Sequence, residues 1–298
     1  MKKFRRIIFL ATAATVFSLA ALGQSDTRNL SVIPKEVYGD PKHNIKIRLG
    51  NGGAGPTGIL RALAEDYLQQ SGNNYAIAWY QDISPNTLKQ LQNGIIDIAL
   101  VYEKTQGKAA MKQGWATGYS VIFNDHFLIV GPKQNPAKIK KADSTTIAFL
   151  KISRLGKTKN EAVFLSRDDD SGTNIKEKSI WQMARLKPWE SENAWYFKYH
   201  VFPKEALLYA DKNSLYTLTD WGTWLSNEKD LNNSQIFLQG KKELLNPCFA
   251  LLGKNPSPEV LDFLKYLKSK RAQKLIADFG KDKYEGRALF TPAKQANF

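Results

Sequence analysis

The densest chemistry in this 298-residue chain lies in one short stretch, Ser166-Arg-Asp-Asp-Asp-Ser-Gly-Thr-Asn174. Arg167 offers a planar fork of donors that suits an oxyanion. Ser171 and Thr173 add hydroxyls, and Gly172 lets a ligand come close to the start of a helix. The competing reading is a capped helix with Arg167 paired to a neighbouring aspartate. A charge-assisted hydrogen bond contributes roughly 1.5–3 kcal/mol net. Micromolar capture needs about 8 kcal/mol, so several donors must converge. Asp168, Asp169 and Asp170 are adjacent, so their carboxylates point in different directions. They read as a solvated or capping turn rather than a metal site.

A second stretch, Gly50-Asn-Gly-Gly-Ala-Gly-Pro-Thr-Gly58, has little side-chain chemistry but an accessible backbone. Pro56 suits the first helical position, which predicts amides at Thr57 and Gly58 without intrahelical partners. Such amides at a positive helix end make an anion site. The Gly-Lys-Ser/Thr ending of a nucleotide-phosphate loop is missing, and a tight strand-to-helix turn is the competing reading. In a third stretch, Tyr216–Trp224, Thr219 is placed either to cap a helix or to donate to a ligand. Capping is the stronger expectation.

Other chemistries find little support. His43, His126 and His200 are far apart and show no metal spacing. There is no Gly-x-Ser-x-Gly elbow, so no catalysis, metal or cofactor is expected. The single cysteine, Cys248, cannot form an intramolecular disulfide and sits in an apolar run, as a packed thiol would. The seven Trp residues stand mostly beside apolar positions and read as core rather than as base-stacking platforms. The formal charge of +15 comes from scattered lysine and arginine. That pattern fits a solvated surface that draws anions inward, not a nucleic-acid groove.

The chain opens with Lys2, Lys3, Arg5 and Arg6, then an apolar or small run over residues 7–22. This reads as an export signal, 1–23, cut before Gln24. Its removal takes away four positive charges and leaves a formal +11. A periplasmic or secreted protein is expected.

The positioning elements follow from periodicity. Ile45–Leu49, Tyr75–Tyr80 and Ile96–Tyr102 read as strands, with helices from Pro56 and Pro85 between them. That alternation is the pattern of a parallel α/β sheet. Phe127–Val130 and Ala162–Leu165 are further strands. A helix from about Ile175 follows, with Asn174 and Glu177 at capping-box spacing. Pro203 opens another helix, and two amphipathic helices close the chain. The expected division is 44–125 plus 246–298 as one lobe, with 126–245 inserted as the second. The chain would cross between lobes near 124–130 and 244–252. Ligands of such sheets lie at strand carboxyl ends, in a crevice.

On these segments the chain resembles the tungstate/molybdate-type substrate-binding proteins of ABC transporters. The stretches are Gly50–Leu60, GIIDIALVY (94–102), NDHFLIVGP (124–132), FLSRDDDSGTN (164–174), YTLTDWGTWL (216–225) and LLNP (244–247). The resemblance implies a two-lobed type II periplasmic binding fold with a hinge, and a monomer that delivers a tetrahedral oxyanion to an ABC permease. It carries ligand roles to Arg167, Ser171, Gly172, Thr173 and Thr219. Where the family commonly has a Thr/Ser run, this chain has Asn51, Gly52, Gly53 and Ala54. Backbone amides at Gly53 and Ala54 would then substitute, with Thr57 matching a later family serine. Trp221 stands where the family commonly has arginine. The Arg-x-Asp-x-Ser-Gly-Thr pattern is also similar to that of phosphate-binding proteins, with Asp169 at the aspartate position. Tungstate, molybdate and sulfate need only donors, whereas hydrogen phosphate benefits from an aspartate acceptor. A phosphate or sulfate receptor, or a secreted binding-fold protein without a transporter, are the alternatives.

Overall fold

The computed structural model describes residues 33–102, 104–159 and 161–293. The basic and apolar start at 1–23 lies outside the described residues.

Strand β1 (Glu36–Tyr38) precedes β2 (Ile45–Asn51), which runs into the glycine loop. The loop holds one 3-10 turn, Gly55–Thr57, and passes through Gly58 into helix α1 (Ile59–Ser71). Gly58 takes a φ of 89°, so the α-helix starts after it and not at Pro56. Helix α1 buries Ile59, Leu60, Leu63, Tyr67 and Leu68, the residues that recur at helical spacing. Strand β3 (Ala76–Gln81), helix α2 (Ser84–Gln92) and strand β4 (Ile98–Val101) continue the alternation. β2 pairs in parallel with both β3 and β4, which brings their carboxyl ends to one edge. All four residues of β4 are buried, as a strand covered on both faces requires.

Helix α3 (Lys104–Lys112) leads into the long strand β5 (Ala116–Pro132). Next come α4 (Thr145–Lys159), β6 (Phe164–Ser166), α5 (Gly172–Met183) and β7 (Tyr196–Lys198). They are followed by α6 (Pro203–Lys212), β8 (Tyr216–Asp220), α7 (Trp221–Asn227) and β9 (Ser234–Leu238). Strand β10 (Leu245–Gly253), helices α8 (Pro258–Leu267) and α9 (Lys270–Asp278), and the short β11 (Thr291–Pro292) end the described chain.

The strand order is β1-β3-β2-β4-β10-β5-β8-β6-β7, with β9 and β11 also against β5. β5 is the joint of this sheet. Its first half pairs antiparallel with β10, and its second half with β8 and β9. Beyond it the parallel pattern repeats, because β6 pairs in parallel with β7 and β8. Sequence periodicity predicted only Phe127–Val130 of β5. Its first half mixes Thr117, Gly118, Ser120 and Asn124 with apolar residues, and pairing along β10 makes it a strand despite that weak local signal.

One core gathers Tyr38, Trp79, Phe123 and Phe263 around the first parallel group. Another packs Phe149, Phe164, Trp181, Trp195 and Tyr196 around the second. In it the Phe149 and Trp181 ring centroids are 4.3 Å apart. Trp79, Trp181, Trp195 and Trp224 are thus core residues. Cys248 is fully buried on β10, and burial pushes its thiol pKa up, which makes it a poor nucleophile.

Candidate anion-binding site

Strand β6 ends at Ser166 and helix α5 begins at Gly172, so the arginine loop bridges a strand carboxyl end and a helix N-terminus. Arg167 is only 9% exposed. Its Nε donates to the Val201 carbonyl at 3.0 Å, and its Nη2 donates to the Asp169 carboxylate. The second oxygen of Asp169 accepts from the Ser171 amide at 3.2 Å. The guanidinium is thereby held at two points, and its remaining N–H donors are left for a ligand. Both readings of this stretch coexist: Arg167 is paired with an aspartate and still has donors to spare.

Ser171 caps α5, its Oγ accepting from the Asn174 amide at 3.4 Å. The capping-box expectation for Asn174 and Glu177 is corrected here. Both residues lie inside the helix and are buried, in a network described below. With Ser171 as cap, the amides of Gly172 and Thr173 make no hydrogen bond among the described residues. A Cβ built on Gly172 would meet nothing within 4 Å, so the space before this helix end is open. The Thr173 and Thr219 hydroxyls also have no partner among the described residues, and both line one pocket with Arg167. Two free amides, two hydroxyls and a guanidinium make a donor-rich set.

The carboxylates of the loop are met by basic side chains. Asp168 lies 3.4 Å from Lys198, 3.5 Å from Lys178 and 3.6 Å from His200. Asp170 lies 3.1 Å from Lys178, whose own pKa these aspartates raise against the opposing effect of burial. The three aspartates therefore form a neutralised turn. Among the described residues no group of three or more His, Cys, Asp or Glu is placed to hold a metal ion.

The glycine loop behaves differently from its sequence expectation. The Thr57 amide donates to Ala54 O at 3.1 Å and the Gly58 amide to Gly55 O at 2.9 Å, so neither is free. The Thr57 hydroxyl also donates to Ala54 O, at 2.6 Å. The Ala54 and Gly55 amides both donate to Asn51 Oδ1 at 2.9 Å. A 3-10 turn replaced the expected first helical turn, and it satisfies its own donors locally. The amides of Gly52 and Gly53 are the ones left without a partner among the described residues. Gly53 is exposed, and a Cβ there would meet nothing within 4 Å. Asn51 organises this loop. It is 1% exposed, its Nδ2 donates to Leu100 O, and its own carbonyl accepts from Trp79 Nε1.

The third stretch also needs a correction. Thr219 does not cap α7; Asp220 does, accepting from the Thr223 amide at 2.7 Å and from its hydroxyl at 2.6 Å. Thr219 belongs to β8, opposite Leu128 on β5. The Trp221 indole donates to Ala288 O at 2.9 Å, so that side chain ties α7 to the C-terminal segment. On β5, burial holds His126 at a pKa of about 4, neutral at pH 7. Burial and the neighbouring Asp220 push Asp125 well above the usual carboxylate range.

The structure thus gathers Arg167, Ser171, Gly172, Thr173 and Thr219 in one place. Gly53, Ala54 and Thr57 sit on the far side of β5, after β2, and no hydrogen bond joins the two groups among the described residues. Sequence reasoning missed Val201 and did not foresee the structural roles of Glu177 and Asn51. Each has at least one partner distant in the chain, Arg167 for Val201, Ser166 and Tyr196 for Glu177, and Trp79 and Leu100 for Asn51, and nothing local announces those pairings.

Residues 42–271 match the model of the PBP superfamily domain. A tungstate-binding protein TupA of Campylobacter jejuni is 30% identical over 75% of this chain and 82% of its own length. A second protein of that name, from Peptoclostridium acidaminophilum, is 29% identical over 79% of this chain and 81% of its own. Among solved structures, the tungstate-binding protein TupA of Desulfovibrio alaskensis G20 superposes with a TM-score of 0.73 and 30% identity. It covers 83% of this chain and 98% of that one. With the parallel strand ends, the β5 joint and this match agreeing, the chain belongs to the PBP superfamily and has its type II periplasmic binding fold.

Proposed function

We propose that this protein captures a small, fully deprotonated tetrahedral oxyanion of the tungstate and molybdate class and delivers it to an ABC permease. The observation that carries this reading is the position of Asp169. Both of its carboxylate oxygens are engaged within the loop, accepting from Arg167 Nη2 and the Ser171 amide, so it serves to orient Arg167. What remains around Arg167 is rich in donors: the Gly172 and Thr173 amides, the Thr173 and Thr219 hydroxyls and the remaining guanidinium N–H groups. Hydrogen phosphate brings a proton that needs an acceptor, whereas tungstate and molybdate bring none and can use every donor. Sulfate shares that protonation state, and size then decides among the three.

Gly53, Arg167, Ser171, Gly172, Thr173 and Thr219 would contact the anion, with Ala54 and Thr57 holding the first loop in shape. Residues 44–125 with 246–298 would form one lobe and 126–245 the other, bending at the β5–β10 pair to close over the ligand. The basic and apolar start supports export, and the relatives named for tungstate binding support the ligand class. No catalytic step is part of this role. Isothermal calorimetry with tungstate, molybdate, sulfate and phosphate tests it. Heat from the first two with little from phosphate is expected, and no heat from any of the four would refute it.

A further inference from the structure

Glu177 lies one and a half turns into α5, completely enclosed, at 2% exposure. Four donors surround its carboxylate. Ser166 Oγ donates to Oε2 at 2.6 Å and Asn174 Nδ2 at 3.3 Å. Tyr196 OH donates to Oε1 at 2.6 Å and Trp181 Nε1 at 3.0 Å. An ionised carboxylate has about four acceptor positions, so this set of donors fills it. No cation shares in the arrangement, and a buried carboxylate without one is an expensive way to pack a helix.

The reason for it is visible in the loop. Asp168 and Asp170, on either side of Asp169, both have left-handed backbones, with φ of 43° and 53°. Such a conformation is strained for a residue with a Cβ and persists only when its surroundings hold it. The Asp168 amide is held by Ser166 Oγ at 3.2 Å, and the Asp170 amide by Asn174 Oδ1 at 3.1 Å. These are the two side chains that donate to Glu177 Oε2. Ser166 Oγ and Asn174 Nδ2 also meet at 3.2 Å. One carboxylate oxygen thus fixes both bends of the loop that carries Arg167 and Asp169. The other oxygen, bound by Trp181 and Tyr196, fixes the carboxylate itself to the aromatic core.

We propose that Glu177 is the positioning residue of the anion site: it touches no ligand, but it sets the loop geometry that aims Arg167 and leaves the Gly172 and Thr173 amides open. This rests on the oxyanion reading above. Glutamine is the sharp test because it keeps size and shape while replacing one acceptor by a donor. In one orientation its amide nitrogen faces Ser166 and Asn174. In the other it faces Trp181, whose indole can only donate. Either way one edge of the network is broken.

The experiment measures tungstate affinity by calorimetry at pH 8, together with thermal melts of the unliganded protein. Glu177→Gln should keep its melting temperature within a few degrees of the wild type and bind tungstate at least tenfold more weakly. Ser166→Ala cuts the link between the carboxylate and the Asp168 amide and should weaken binding similarly. Tyr196→Phe removes a donor from the far oxygen only and should bind within about twofold of the wild type. If the wild type binds and Glu177→Gln binds equally well, the positioning role is overturned while the oxyanion reading stands. If Tyr196→Phe loses as much affinity as Glu177→Gln, loosened packing is the cause and the proposal also fails. Should Glu177→Gln not fold, Ser166→Ala decides alone: wild-type affinity overturns the proposal, and a tenfold loss in a folded protein supports it. A wild type that gives no heat with tungstate, molybdate or sulfate removes both readings together.

Discussion

Arg167 and Asp169 are two residues apart and bound to each other, guanidinium Nη2 to carboxylate, in the middle of the loop that follows β6. The pair turns an abundant surface interaction into a chemical filter. It engages the Asp169 carboxylate within the loop, where it orients Arg167. Selectivity by protonation state should follow. At pH 8, tungstate and molybdate should bind at least a hundredfold more tightly than phosphate in parallel calorimetric titrations. Equal affinities would mean that Asp169 leaves Arg167 when a protonated anion arrives.

Arg167→Ala should abolish measurable oxyanion binding, a loss of a hundredfold or more. The unliganded protein should lose about 3 kcal/mol, two charge-assisted hydrogen bonds, to Val201 and Asp169, at the low end of their range. Urea unfolding checks the second number. A much larger destabilisation would make Arg167 first of all a structural residue.

Gly172→Ala and Gly53→Ala separate binding from folding. A methyl group at either position meets nothing within 4 Å, so neither change should destabilise the chain. At Gly172, inside a helix, alanine should even stabilise by about 0.4–1 kcal/mol. If the anion sits against the free amides there, the methyl group stands in its way, and affinity should fall about tenfold. Unchanged affinity in Gly53→Ala alone would remove the first loop from the site.

Thr173→Val and Thr219→Val delete hydroxyls that have no partner among the described residues. Each should reduce affinity by about fivefold, close to 1 kcal/mol, with little change in the melting temperature. Thr57→Val should show the opposite pattern. Its hydroxyl already donates to Ala54 O, so loop stability should suffer more than binding.

Stability should depend on pH through Glu177. Burial raises its pKa from 4.5 to about 7, against the pull of its four donors. Between those values the folded chain holds a proton that the unfolded chain has released. Stability contributed by this group is therefore full below about pH 4.5, falls as pH rises through the window, and levels off above 7. The drop is on the order of 3 kcal/mol. Urea unfolding at pH 5 and pH 8 should show Glu177→Gln losing less stability across this window than the wild type. Parallel behaviour of the two proteins would assign the slope to other groups.

Much of this protein was legible in its sequence, where a signal is local. Alternating strands and helices, the buried faces of α1, and the arginine, hydroxyls and glycine of the second loop all depend on neighbours a few residues away. The donor set around Arg167 was readable because residue type fixes what a side chain can donate. The long strand β5 was not, because Thr117 and Ser120 become strand residues only by pairing with β10. Nor could the sequence say which amides are free. Pro56 announced a helix start, but a left-handed Gly58 made it a 3-10 turn that consumes the Thr57 and Gly58 amides. Asn174 and Glu177 kept the spacing of a cap, yet Ser171 took the cap and Glu177 went inward to meet Ser166, Trp181 and Tyr196. The residue types set which hydrogen bonds were available. Burial decided which were made, because a polar group removed from water must find its partner wherever the fold brings one.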